Sequence, residues 1–88
     1  MKLVRIKWLD SYGVGQNWSL VKDVVSSNLI CVSVGYLAVD NDHVKVVVPH
    51  IALENAAIDH EEQGCGGMSI PTQSILELVE LEPVDAIN

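Results

Sequence analysis

The sequence contains no phenylalanine, and only 5% of its 88 residues are aromatic. Hydrophobic residues make up 49% of the chain, and valine is prominent among them, so the core has to be built from branched aliphatic side chains. A chain of this length forms one domain near the lower limit for an independent core. We therefore expect a single domain over residues 1–82 with a frayed tail over 83–88. Association into a homo-oligomer is the simplest additional source of stability.

Cysteine is scarce, which excludes a disulfide-stapled scaffold. The two cysteines, Cys31 and Cys65, are far apart and lack the short spacing of a zinc site. The three histidines, His43, His50 and His60, also lack the paired spacing of metal ligands. We expect reduced thiols, no metal site and no cofactor.

Positive charge is missing from the second half of the chain. No Lys or Arg follows Lys45, whereas eight acidic residues lie beyond that point, and the formal net charge is -7. This charge keeps a small protein soluble and repels nucleic-acid phosphates. Nucleic-acid binding is therefore disfavoured unless the few cations gather on one face.

Long hydrophobic runs are also absent. The apolar N-terminal stretch Met1–Leu9 is interrupted by cations and has no signal-peptide core. No segment reaches the length that crosses a bilayer as a helix. We expect no membrane association and a cytoplasmic location.

The most informative pattern is a pair of β-branched runs. Leu29–Val39 and Val44–Val48 flank the turn-forming residues 40–43, which is typical of a β-hairpin. Gly35, in the middle of the first run, indicates a bulge or sharp bend. Leu3–Leu9 alternates apolar and polar residues, as a half-buried strand does.

The remaining segments complete the prediction of a mainly β fold. A short helix is expected over Trp18–Val25, with Asn17 as its N-cap. Residues 51–67 are expected to be irregular, followed by a strand, a tight turn and a last strand over 68–81. The pattern of the last segment, Ile75–Leu81, also fits a helix. We predict a small five-stranded antiparallel β-barrel with one short helix after the first strand.

A glycine-rich segment is the first candidate for chemistry. Cys65 lies between Gly64 and Gly66, where an accessible thiol could act as a nucleophile with His50 or His60 as its base. No oxyanion element or orienting carboxylate can be assigned, so we predict that the protein is not an enzyme. The same backbone could instead form a nest for a small anionic ligand. That loop comprises Gly64, Cys65, Gly66 and Gly67.

A second candidate is a nucleic-acid surface. It requires four cations on one face, together with an exposed aromatic ring that stacks on bases. The residues assigned to this surface are Arg5, Lys7, Lys22, Lys45 and Tyr36.

The predicted strand order resembles that of Sm-like proteins, which are small bent barrels that form rings and often bind RNA. Gly35, Leu37 and Asp40 are similar to the first motif of that family, with a Gly-to-Asp spacing that is one residue shorter. The family's second motif falls at Pro71-Thr72, where its cation is absent. The resemblance implies the barrel and a ring more than it implies RNA binding.

The amino-acid sequence also resembles those of short bacteriophage proteins that have no assigned activity. The resemblance rests on Trp8-Leu9-Asp10, on Ser33–Leu37 and on Gly64–Pro71. It implies a protein that acts in the cytoplasm of an infected host cell.

Together these observations favour a non-enzymatic, phage-type Sm-like protein that works as an oligomeric binding module with itself as partner. One alternative is binding of RNA or DNA in the Sm manner. A further alternative is sequestration of a small anionic ligand by the glycine-rich loop.

Overall fold

A computed structural model describes residues 1–11, 17–24 and 29–84 of the chain. The described residues form β-strands joined by turns, and the regular helical elements among them are single 3₁₀ turns. No helix in these ranges is long and apolar enough to cross a membrane. The strands are β1 (Leu3–Asp10), β2 (Leu29–Asp40), β3 (Val44–Val48), β4 (His50–Ala52), β5 (Gln63–Cys65), β6 (Met68–Pro71) and β7 (Ile75–Glu80).

Five strands form one antiparallel sheet in the order β6-β3-β2-β1-β7, and β4 and β5 form a separate hairpin. The alternation predicted for β1 is confirmed, because Val4 and Ile6 are fully buried while Arg5 and Lys7 are exposed. Since successive side chains of a strand point to opposite faces, β1 has one core face and one outer face.

The long strand β2 has different partners in its two halves. It pairs with β1 from Leu29 to Tyr36, but β3 joins it only from Tyr36 onward. At the junction, a Cβ atom on Gly35 would lie 3.1 Å from the backbone carbonyl carbon and oxygen of Val48. This close approach favours glycine, because a Cβ atom here would force the two backbones a few tenths of an ångström apart.

The predicted β2–β3 hairpin is confirmed, and its turn is held by Asn41. The side-chain oxygen of Asn41 accepts hydrogen bonds from the backbone N–H groups of His43 and Val44, both at 2.9 Å. Such a local bond is the ordinary role of asparagine in turns.

The five strands do not close into a barrel, which corrects that part of the prediction. β6 and β7 are the two edges of the sheet, and no hydrogen-bonded pairing joins them. Pro71 ends β6, and Thr72 then bonds to the β2–β3 turn, with its N–H donating to His43 and its hydroxyl to Asn41. The chain is thus drawn toward that turn before β7 begins.

The two edges nevertheless cannot be far apart. A flat sheet of five strands would separate its outer strands by about 19 Å. The 3₁₀ turn Thr72–Ser74 that links β6 to β7 has three residues, which advance by roughly 6 Å. The sheet must therefore curl toward the corner where these edges meet.

The core is small. Among the described residues, five hydrophobic side chains are buried: Val4, Ile6, Val47, Val48 and Ile70. Trp8 packs against this cluster and donates a hydrogen bond from Nε1 to Ser33 Oγ at 3.0 Å. The Cα radius of gyration is 18.4 Å, against about 12 Å expected for a compact domain of this length.

The predicted helix over Trp18–Val25 is wrong in the part that the structure describes. Only a 3₁₀ turn, Val21–Asp23, is present, and its N-cap is Leu20 rather than Asn17. Trp18 and Val21 are almost fully exposed, so the apolar face of this segment has no surface to pack against. Two turns of helix do not form without such packing, because nucleation is unfavourable. Val25 lies outside the described residues.

The irregular segment predicted over residues 51–67 contains the β4–β5 hairpin, which the sequence did not indicate. A 3₁₀ turn at Ala56–Ile58 connects the two strands, and the Asn55 side chain accepts a hydrogen bond from Ala57 N at 3.1 Å. Asp59 follows with a positive φ of 54°. Of the predicted tail, residues 83 and 84 are described and lie outside any strand.

We expect Gly35→Ala to destabilise the fold by about 1–3 kcal/mol, because the new methyl group would press on the backbone of Val48. Urea unfolding followed by circular dichroism would measure the change. Gly67→Ala is the matched control, since its Cβ would make ordinary contacts at 3.4 Å or more. Equal stability of the two variants would contradict the close approach at Gly35.

Candidate functional site

A groove lies between the end of the main sheet and the β4–β5 hairpin. Tyr36, where β2 begins to pair with β3, is on one side, and the strand β4 is on the other. The groove has a volume of about 510 Å³, within the range of ligand-binding clefts. Its lining residues are Met1, Tyr36, Pro49, His50, Ile51, Leu53 and Glu62.

The glycine-rich loop fixes the hairpin beside this groove. A Cβ atom on Gly64 would lie 2.9 Å from Val48 Cγ1, and one on Gly66 would lie 3.2 Å from Pro49 Cγ. Gly66 also has a positive φ of 78°, which other residues rarely adopt. Packing of β5 against the end of β3 therefore accounts for these glycines. Binding of an anion by Gly64–Gly67 stays a prediction.

Cys65 is an exposed free thiol directly opposite His50 in the β4–β5 register. Cross-strand partners have neighbouring side chains, so the thiol and the imidazole share one face of the hairpin. A cysteine nucleophile requires such a base beside the thiol and also a group that orients the base. Among the described residues, no hydrogen bond orients the His50 ring, and His60 instead bridges to Asn55.

The predicted nucleic-acid cations occupy several parts of the molecule. Arg5 and Lys7 share the outer face of β1, whereas Lys22 lies in the 3₁₀ turn outside the sheet. Lys45 lies opposite Asp40 of β2, and Arg5 lies opposite Val34 of the same strand. These two positions are about 20 Å apart along β2.

Carboxylates accompany most of these cations. Arg5 donates to Glu77 at 2.9 Å, Lys45 is ion-paired with Asp40, and Lys7 lies opposite Glu77 in the strand register. Another ion pair joins Lys2 and Glu80 at 3.6 Å. A phosphate would have to compete with these acids. The structure therefore does not bring the predicted cations together as one unopposed basic face.

The outer face of β2 carries an apolar stripe next to an open strand edge. Ile30, Val32 and Val34 are 55%, 59% and 52% exposed, and all three point to the same side of the sheet. From Leu29 to Gly35, the described residues pair with β2 only on the β1 side. The opposite edge thus presents unpaired backbone N–H and C=O groups beside an exposed apolar surface. We call this surface the β2 edge.

The described part of the chain contains no group of three or more His, Cys, Asp or Glu residues arranged to hold a metal ion. Comparisons with models of known protein families, with curated proteins and with solved structures gave no match. The function therefore has to be argued from the groove, the β2 edge and the His50–Cys65 pair.

Sequence reasoning identified Tyr36 and the glycine-rich loop but missed the groove as a unit. Ile51, Leu53 and Glu62 fall within a segment that was expected to be irregular. The available signal was Pro49 together with the glycine cluster at Gly64–Gly67, which could have indicated a chain reversal between them.

We expect Cys65 to react with a disulfide reagent such as DTNB at least tenfold faster than Cys31 under native conditions. Cys65 is exposed on the hairpin, whereas Cys31 is half-buried within β2. The absorbance of the thionitrobenzoate released from the reagent would follow the reactions of the two thiols. Cys65→Ser should remove the fast phase and Cys31→Ser the slow one. Similar rates for both thiols would contradict this placement.

Proposed function

We propose that the protein is a non-enzymatic binding module of Sm-like, phage type that assembles into a homo-oligomer through the β2 edge. The observation that carries the proposal is the open edge over Leu29–Gly35 together with the apolar stripe beside it. Natural sheets protect such an edge with charges, prolines or a covering element. The segment 29–39 contains neither a charged residue nor proline.

The large solvent-exposed area of the chain also supports assembly. The chain exposes 7396 Å², whereas a folded monomer of 9.6 kDa is expected to expose about 5,100 Å². Association would supply the burial that five core residues do not.

Pairing of two β2 edges about a two-fold axis is the arrangement that best fits this surface. With the axis at Val32, Ile30 of one copy lies opposite Val34 of the other, and the two Val32 residues face each other. The apolar stripes then continue across the interface. The edge strand β7 carries Glu77 and Glu80, so pairing of two β7 strands would bring like charges together.

The curled sheet supports the Sm-like part of the proposal. Its edges β6 and β7 are consecutive in the chain and joined by a three-residue turn, and its longest strand has a register irregularity between Leu37 and Val39. Nucleic-acid binding draws less support, because Arg5 and Lys45 are ion-paired with acids and the net charge is -7.

We expect the purified protein to sediment as a dimer or larger oligomer at micromolar concentration, without a change in mass when a mixed oligonucleotide is added at moderate salt. Val32→Lys should weaken assembly about three- to fivefold, because the two-fold axis places the two new ammonium groups directly opposite each other, where like charges are destabilising. Sedimentation velocity and light scattering would measure both effects.

Val21→Lys is the matched control, because it adds the same charge at an exposed valine outside the sheet. Circular dichroism would establish that both variants keep the β fold. A wild-type monomer at micromolar concentration would refute the proposal. Equal dissociation of the two lysine variants would show that charge alone, rather than the β2 edge, controls assembly.

A further inference from the structure

We propose that the groove beside the β4–β5 hairpin binds a basic side chain, lysine or arginine, presented by a partner polypeptide. This inference names the partner class of the binding module, and it rests on the proposed function only in treating the protein as a binder. Three features of the groove carry it: an uncompensated carboxylate, an aromatic ring with apolar walls, and a strand with a free side.

Glu62 supplies the carboxylate. Asp40, Glu77 and Glu80 are each paired with a cation of the chain, but no ion pair or side-chain hydrogen bond involves Glu62 among the described residues. No Lys or Arg side chain lines the groove. A cation from a partner would therefore meet a carboxylate with no Lys or Arg beside it, and the basic groups it would have to share the groove with are the amino group of Met1 and the imidazole of His50.

The surroundings of the groove are negative as well. The segment between β4 and β5 carries Glu54, Asp59 and Glu61, which line a second depression on the neighbouring surface. No Lys or Arg lies beyond Lys45 in the sequence. This concentration of negative charge attracts cationic partners and repels anionic ones. It favours a basic ligand over the small anion considered from the sequence.

Tyr36 and the apolar walls select a cation that has a hydrocarbon stem. The Tyr36 side chain is partly exposed at the groove, where its ring can contact an ammonium or guanidinium group. Pro49, Ile51 and Leu53 provide apolar surface for the methylene groups of lysine or arginine. A planar guanidinium can both stack on the ring and bind a carboxylate with two hydrogen bonds, so arginine should bind more tightly.

The backbone next to the groove suits a polypeptide rather than a free amine. Strand β4, which contributes His50 and Ile51 to the lining, pairs only with β5 among the described residues. An extended segment can add hydrogen bonds to such a free strand edge while one of its side chains enters a neighbouring pocket. The volume of about 510 Å³ exceeds that of one side chain and leaves room for its neighbours.

The test uses the full-length protein and peptides of the form acetyl-Leu-X-Leu-amide, in which X is Arg, Lys, Gln or Glu. Binding is measured by NMR titration of the ¹⁵N-labelled protein. We expect the Arg peptide to bind about tenfold more tightly than the Gln peptide. The largest shifts should fall on the amides of the groove residues. The Glu peptide should show no binding.

Two variants locate the carboxylate. Glu62→Gln should weaken binding of the Arg peptide about three- to fivefold and leave the Gln peptide unaffected. Glu61→Gln is the matched control, because it removes the same charge from the adjacent residue, which lines the other depression. Its effect should stay below about twofold. Tyr36→Leu should weaken the Arg peptide about threefold through loss of the ring.

Equal binding of the Arg and Gln peptides, or equal effects of the two glutamate variants, would overturn the inference. Absence of binding by the wild type would do the same. Sedimentation of each sample separates this outcome from failure of the proposed function. An assembled protein that ignores the Arg peptide refutes only the partner class, whereas a monomer that binds it refutes only the assembly.

Discussion

The contact between the backbones of Gly35 and Val48 is the constraint on which the other features of the structure depend. It marks the point where β2 changes partners, from β1 up to Tyr36 to β3 from Tyr36 onward. Before Gly35, the strand keeps one edge open and displays the apolar stripe. After it, Val48 and Pro49 turn the chain into the β4–β5 hairpin, which faces Tyr36 across the groove. One close approach therefore positions both surfaces that support the proposals.

The small core explains why these surfaces are so exposed. Without phenylalanine, and with short edge strands, the sheet buries only five hydrophobic residues among those described. Because burial of apolar surface is the main favourable term in folding, so small a core contributes little stabilisation. A chain of this kind gains from association, and the exposed β2 edge is where an added strand would extend the existing sheet.

Strands were predictable from the sequence wherever the signal was local. The alternation in β1, the β2–β3 hairpin and the turn Thr72–Ser74 before β7 depend on residues within a few positions of one another. The helix prediction failed because helical spacing of apolar residues defines an apolar face but does not show whether another element packs against it. Trp18 has no such packing partner among the described residues. Strands β4 and β5 have three residues each, too few to create a recognisable period.

The candidate surfaces required non-local information. The open edge exists because β3 is much shorter than β2, which no pattern within β2 reveals. The groove combines Tyr36 with Pro49 and Glu62, which are brought together only after the hairpin folds back. The hairpin turn, by contrast, could be predicted from its turn-forming residues, whereas the irregularity of β2 lies between Leu37 and Val39 rather than at Gly35, where the sequence placed a bulge or bend.

The distribution of charge is compatible with both the proposed assembly and the proposed recognition in one small protein. Chains of net charge -7 repel each other, so the surface for self-association has to lie where the acids are fewest. The β2 edge meets this condition, because Val32 and Val34 lie opposite Lys7 and Arg5 in the register with β1. Most residues that line the groove belong to the half of the chain that has no Lys or Arg, so negative charge could act there on a partner without opposing the proposed apolar contact between copies. A basic partner would also reduce the repulsion within an oligomer. Added salt would weaken the attraction of that partner to the groove but would also weaken the repulsion between copies, so salt should act on the two proposed interactions with opposite signs.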